Sequence, residues 1–220
     1  EEGAVALKPS NITFEQAGSV GIAGVTALQG LRDKGHIQRG QIVLINGASG
    51  GVGTFAVQIA KAFGAEVTAV CSTRNVDLVK SIGADHVIDY TKEDFTKTDQ
   101  RYDMIYDLVG NHGFSERQKI LKPNGICVLA GIGGAGAHPE TMGRIVGNFW
   151  NAFRSNFSKE KFVFYIAKLT KGDFGVLRDL MQSGKVSPVI DRTYKLEQTA
   201  DAVRYMEEGH ARGKVVVKID

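Results

Sequence analysis

Residues 42 to 54, IVLINGASGGVGT, constrain this chain more than any other stretch, because a β-branched apolar run passes directly into a glycine-dense turn and then into a helical pattern. Ile42, Val43, Leu44 and Ile45 read as a strand buried on both faces. Residues 54–63 carry apolar side chains at helical spacing and stop at Gly64. Gly47, Gly50, Gly51 and Gly53 fill the connection. Such a turn aims free backbone N–H groups and the positive end of a helix dipole at one point, and glycine lets a pyrophosphate approach the main chain. The implied chemistry is dinucleotide binding. The spacing, Gly47-x-x-Gly50-x-x-Gly53, departs from G-x-G-x-x-G because position 48 is Ala, so an ordinary tight strand-to-helix connection stands as the alternative.

A second strand, residues 66–71, follows one helix later, and its end is where the adenosine ribose sits in a dinucleotide fold. An acid there would bind a ribose 2′-hydroxyl and repel a 2′-phosphate. This chain has Cys71-Ser72-Thr73-Arg74-Asn75 instead. Two hydroxyls and a guanidinium form a pocket suited to a phosphate, with Arg74 able to make charge-assisted contacts, so NADPH is expected over NADH. On the other reading, Ser72 and Thr73 merely cap the helix beginning near Val76 and Arg74 is solvated.

Strands alternate with helices along the rest of the chain, which predicts an α/β fold with a Rossmann-type, doubly wound parallel sheet. After the first two strands come a helix over 76–81, a strand over 86–90, a strand over 102–110 and a helix over 114–121. Pro123-Asn124-Gly125 is expected to turn the chain into a fifth strand, 126–130, which opens into a glycine-rich loop, 131–136. Residues 162–167 read as a sixth strand and 174–183 as a helix. Two flanks fall outside this sheet: residues 2–35, a strand-like piece and a glycine-rich helix over 21–31, and residues 186–220, which end in a strand over 214–219. The organisation expected is therefore a flank and linking helix over 1–35, a cofactor-binding domain over 36–185, and a C-terminal segment over 186–220 that belongs with a neighbouring domain.

At 220 residues and 43% hydrophobic, the chain can bury one substantial core plus an attached segment. A net charge of +3, with bases and acids interspersed, argues against a nucleic-acid partner. No run is long and apolar enough to span a membrane, and Glu1-Glu2-Gly3 is neither a signal peptide nor an initiator, so the chain reads as part of something larger. Cys71 and Cys127 both lie in apolar strand patterns, which fits free thiols in a reducing compartment, the cytoplasm being the expected location. The five histidines are scattered without metal-binding spacing, so no metal site is expected. An aromatic segment, residues 145–157, suits a substrate wall or partner surface, or else packing.

Several separate motifs, in order, carry a family resemblance. Gly47-Ala48-Ser49-Gly50-Gly51-Val52-Gly53, Ser81-Ile82-Gly83-Ala84-Asp85-His86-Val87-Ile88-Asp89-Tyr90, Tyr102-Asp103-x-x-Tyr106-Asp107-x-x-Gly110 and Gly209-His210-Ala211-Arg212-Gly213-Lys214-Val215-Val216 resemble the medium-chain dehydrogenase/reductase superfamily, and within it the zinc-independent quinone oxidoreductase, or zeta-crystallin-like, branch. The resemblance spans essentially the whole chain. It implies that about a hundred residues of an N-terminal GroES-like domain, which form half of the substrate cleft, have no counterpart here. In the zinc-dependent branch a Cys on the helix entering the cofactor domain ligates zinc; Ile22 stands at that place, which disfavours zinc catalysis.

The family pattern further implies cofactor contacts by the turn residues Gly47, Ser49, Gly50, Gly51, Val52 and Gly53, with Gly50 to Val52 on the pyrophosphate. It puts Thr26 near the nicotinamide, and Ser72, Arg74 and Tyr90 around the 2′-phosphate, where the residues themselves add Thr73. Leu108, Val109, Gly110, Ala130, Gly131 and Ile132 would follow the nicotinamide ribose. Tyr90 could equally be an ordinary strand-terminal tyrosine, and Tyr106 and Asp107 belong more naturally to packing and to the strand end. Hydride transfer from NADPH to a small electron acceptor, a quinone or an α,β-unsaturated carbonyl, is the implied reaction. No catalytic residue is assigned. A zinc-free alcohol dehydrogenase-like enzyme and a non-catalytic NADPH-binding or structural protein stand as alternatives, and the family pattern allows a homodimer.

Overall fold

A computed structural model of the chain describes residues 5–130, 159–209 and 211–219. Helix α1, Phe14–Gln29, starts at a reciprocal cap: the Gln16 N–H donates to the Thr13 hydroxyl (3.1 Å) and the Thr13 N–H to the Gln16 side chain (2.9 Å). It kinks at Gly21, whose dihedrals are not helical, and widens into a π turn, Gly30–Lys34, closed by the Gly35 N–H on the Gly30 carbonyl. A Cβ on Gly30 would lie 2.6 Å from the Tyr106 ring, so only glycine lets helix and sheet approach this closely.

The sheet contains β1, Ile42–Asn46; β2, Glu66–Cys71; β3, His86–Asp89; β4, Tyr102–Asp107; β5, Leu121–Leu129; and β6, Lys161–Phe164. All pairs are parallel and the order is β3-β2-β1-β4-β5-β6. Helices α2, Gly53–Ala62; α3, Val76–Ser81; α4, Phe114–Lys119; and α5, Lys171–Gln182, run between or after the strands. Strand order reverses between β1 and β4, which leaves a crevice at their carboxyl ends. This is a Rossmann-type sheet.

Both faces of the sheet are covered, as a buried parallel sheet requires. Val43, Ile45, Met104 and Tyr106 point into one core with Leu28 and Leu31 of the first helical segment, Phe55 and Ile59 of α2, and Leu177 of α5. Leu44, Ile105, Cys127 and Phe162 point into the other, with Phe95 and Ile120. On the first face α5 is anchored to the N-terminal helix through Asp173, which is buried and receives Gln29 (2.7 Å), Arg32 (2.6 Å) and the Thr170 hydroxyl (2.6 Å).

Two sequence expectations change. Pro123-Asn124-Gly125 does not precede the fifth strand; it lies within β5, where the register to β4 jumps between Tyr102/Leu121 and Met104/Ile126. Asn124 takes φ +66, so the turn chemistry makes a bulge rather than a strand start. The C-terminal flank holds more than one strand: β7, Ile190–Lys195, a short helix α6, Thr199–Glu207, and β8, Lys214–Lys218, form a parallel two-stranded sheet with its own crossover. Residues 5–13 contain no strand. The aromatic segment at 145–157 and the loop at 131–136 lie outside the described residues.

Candidate functional site

A cleft of about 530 Å³ opens at the carboxyl ends of β1, β2 and β4, where the strand order reverses. Its floor is the glycine turn: Gly47, Ser49, Gly50, Gly51, Val52 and Gly53 all line it. Gly47 has φ +84, which an L side chain rarely adopts, and the turn is held by the Ala48 N–H on the Val70 carbonyl (3.1 Å) and the Gly50 N–H on the Gly47 carbonyl (3.2 Å). A Cβ on Gly53 would stand 2.1 Å from the Gly47 carbonyl oxygen, so glycine there is a packing requirement of turn against helix. At Gly50, which lines the cleft, a Cβ would meet nothing closer than that oxygen at 3.5 Å. Gly51 and Val52 donate no backbone hydrogen bond among the described residues, and α2 begins without a side-chain cap. Free donors at a helix start are what an anion needs.

The opposite end lies beyond β2. Ser72, Arg74 and Tyr90 all line the cleft, Arg74 and Tyr90 as exposed side chains. Ser72 makes no capping bond to the following turn, and α3 begins at Val76 without a side-chain cap. The Ser72 hydroxyl instead receives the Asn75 side-chain amide (3.2 Å), which also reaches the Ser49 hydroxyl (3.0 Å). Asn75 thus ties the glycine turn to the end of β2. Its Oδ1 is buried and has no hydrogen-bond partner among the described residues. None of the described residues that line the cleft is acidic.

Thr73 turns away. Its hydroxyl donates to Asp89 Oδ2 (2.5 Å), and the Thr91 hydroxyl and N–H donate to Asp89 Oδ1 (2.7 and 3.0 Å). These bonds, the Thr73 one first, hold the Asp89 carboxyl well below the usual carboxylate range. Asp89, which precedes Tyr90, therefore has its oxygens engaged away from the cleft.

At the other rim Leu108 and Val109 line the cleft, with Val109 Cγ2 2.9 Å from where a Cβ of Gly47 would be. Thr26, Gly110 and Ala130 are not in the wall. Thr26 instead offers its carbonyl to two tyrosines, Tyr106 on β4 and Tyr165 beyond β6, whose hydroxyls are 2.8 Å apart and converge on it. Burial pushes the Tyr165 hydroxyl up to about 12 and Tyr106 well above its ordinary value, so both keep their protons for this contact. Gly131 and Ile132 lie outside the described residues.

The cleft also contains residues to which the sequence reading gave no place in the site: Asn46, Val70, Asn75, Asn111, Gly209 and Ala211. Cys71 lines it too, with burial pushing its thiol up to about 11. Gly209 and Ala211 arrive on the C-terminal segment, which is pinned to the glycine turn by the Gly213 N–H on the Ser49 carbonyl (2.9 Å). A Cβ on Gly213 would lie 2.5 Å from the Val189 carbonyl oxygen, so the segment can make this approach only with glycine. Its place next to the turn could have been suspected from the Gly209–Lys214 motif; Asn46 and Asn111 leave no comparable signal. Among the described residues no group of three or more His, Cys, Asp or Glu could hold a metal ion, and no helix is long and apolar enough to cross a membrane.

Comparison with known proteins agrees with this architecture. Residues 82–217 match the family described as zinc-binding dehydrogenase. The chain is 37% identical to a 2-methylene-furan-3-one reductase of Solanum lycopersicum and 35% identical to a chloroplastic NADPH-dependent alkenal/one oxidoreductase of Arabidopsis thaliana, over 99% of its own length in both cases. It spans 50% of the length of each. Among solved structures, a quinone oxidoreductase from Coxiella burnetii superposes with a TM-score of 0.82 at 30% identity, over 98% of this chain and 64% of that one. With the strand order, the glycine turn and the match over 82–217 in agreement, the chain belongs to the zinc-binding dehydrogenase family of the medium-chain dehydrogenase/reductase superfamily.

Proposed function

We propose that this chain is the NADPH-binding part of a zinc-independent oxidoreductase that reduces quinones or α,β-unsaturated carbonyls. One observation carries the reading: a cleft at the reversal of strand order has a glycine turn at its floor, Ser72, Arg74 and Tyr90 at its far end, and no acid among the described residues of its wall. The glycine turn would hold the pyrophosphate on the N–H groups of Gly51 and Val52, and Ser72 with Arg74 would hold the 2′-phosphate. Bound there, NADPH would supply a hydride to an electron-poor acceptor. Leu108 and Val109 would press the nicotinamide half against the turn and keep water from it.

Two further points belong to this reading. Ile22, 59% exposed, stands where the zinc-dependent branch has its Cys ligand, which supports chemistry without zinc. Residues 36–185 would form the cofactor domain, residues 1–35 its flank and linking helix, and residues 186–220 a segment completed by a GroES-like domain in a longer protein, consistent with relatives that extend well beyond the matched part.

Titration calorimetry with both cofactors tests the reading, with NADPH expected to bind more tightly than NADH; equal affinities would overturn it. For the reaction, a longer protein carrying the additional domain should oxidise NADPH with enones or quinones far faster than this chain, because orientation and exclusion of water need the second half of the cleft. Equal rates would place the acceptor site within these 220 residues.

A further inference from the structure

Asp107 closes β4 and is wholly buried, with one oxygen committed to a turn and the other to a charge. Its Oδ1 accepts the Val109 N–H (3.1 Å), the Gly110 N–H (2.9 Å) and the Asn46 side-chain amide (2.9 Å). Asn46 also donates to Asn111 Oδ1 (2.9 Å), so the ends of β1 and β4 and the chain beyond them are linked through this carboxylate. Asp107 Oδ2 faces Arg117 Nε of α4 at 2.8 Å, in charge contact without a well-aligned hydrogen bond. Arg117 is 1% exposed, and its Nη1 has no hydrogen-bond partner among the described residues.

Burying both charges is costly, and a well-packed apolar pair of similar volume would often stabilise a core as well. The pair is bonded to the turn that follows β4, whose Leu108 and Val109 line the cleft. Gly110 adopts φ +71, and Val109 packs against Gly47 at the edge of the glycine turn, while the rest of that turn is held by its own bonds and by the Val70 carbonyl.

We infer that the Asp107–Arg117 ion pair is a positioning device for the nicotinamide half of the cofactor: it fixes residues 108–110 against the glycine turn and leaves the adenosine half, held beyond β2, untouched. This rests on the NADPH reading above. Both residues act through the turn rather than on the cofactor.

The test compares NADPH with adenosine 2′,5′-bisphosphate, which carries only the adenosine half, by calorimetry on the whole chain. Asp107→Asn keeps an acceptor for the turn but loses the charge; Arg117→Met strands the carboxylate; Arg117→Lys keeps the charge. In Asp107→Asn and Arg117→Met the NADPH affinity should fall about tenfold or more, while the bisphosphate affinity stays within about twofold. Arg117→Lys should lie between them and the unsubstituted chain. The enhancement of nicotinamide fluorescence on binding should fall with the NADPH affinity, which a loss of stability alone would not produce. Equal weakening of both ligands, or no weakening of NADPH, would overturn the inference. If Arg117→Met fails to fold, the same comparison made on Arg117→Lys decides it. Failure of the unsubstituted chain to bind either ligand would refute the NADPH reading instead.

Discussion

The two ends of the cleft are built on opposite plans. Beyond β2 the cleft is lined by exposed side chains, Arg74 on a single 3₁₀ turn, Thr73–Asn75, and Tyr90 just after β3. Beyond β4 the rim is a main-chain turn whose N–H groups end on a buried carboxylate, itself paired with a buried guanidinium. An exposed charge can be exchanged at little cost to the fold, whereas a buried pair cannot lose one member without leaving an uncompensated ion. On the proposed reading, cofactor preference would lie where substitution is cheap, and placement of the reactive half where it is not.

The glycine turn between the two ends gives the largest contrast. Gly53→Val should not fold, because a Cβ there would meet the Gly47 carbonyl oxygen at 2.1 Å and the start of α2 would have to move. The expected loss exceeds about 4 kcal/mol, measured by chemical denaturation of whatever soluble material is obtained. Gly50→Val has no such obstacle and should keep the native circular dichroism while losing NADPH affinity by about a hundredfold or more. A folded Gly50→Val variant with unchanged affinity would remove the floor of the cleft from the proposed site.

At the exposed end, Arg74→Ala should cost about 1.5 to 3 kcal/mol of NADPH binding, roughly one to two decades, and leave NADH nearly unaffected. If both cofactors weaken alike, Arg74 does not read the 2′-phosphate and the contrast between the two ends collapses.

The smallest effect expected is at Thr73. Asp89 has a depressed pKa in the fold, so its contribution to stability is complete above its unfolded value, about 3.9, and is lost as the pH falls below that. Thr73→Val removes the first cause of the depression, so acid unfolding followed by circular dichroism should move to higher pH. NADPH affinity should stay within about twofold. A tenfold loss of affinity would instead put the Thr73 hydroxyl in the phosphate site and widen the exposed end by one residue.

Most of the sheet was legible because each buried strand is a short β-branched or aromatic run ending in a turn residue: β2 and α3 have the expected bounds, and β1, β3 and β4 differ at one end. Pro123-Asn124-Gly125 misled because turn residues look alike whether they begin a strand or bulge within one. The α6–β8 unit was missed in part because β7, IDRTYK, alternates weakly and is half exposed. In the site, the glycine turn and Ser72-Arg74 could be read from spacing. The orientation of Thr73 could not, since nothing local says that its hydroxyl meets Asp89, a residue of the neighbouring strand. Asp107 and Arg117 are ten positions apart, too far for any helical or strand periodicity to pair them, and Asn46 joins their network only through the register of β1 with β4.

The convergence of Tyr106 and Tyr165 on the Thr26 carbonyl has a consequence for how the chain is born. The two hydroxyls come from 80 and 139 residues downstream of the carbonyl that they hold. On a ribosome, the helix that carries Thr26 emerges 139 residues before Tyr165, so this latch cannot close until the residues after β6 are made. Closing contacts over such sequence distances is slow, and apolar surface exposed meanwhile is prone to aggregate. Helix α1 should thus reach full protease resistance during refolding only after β6 has docked.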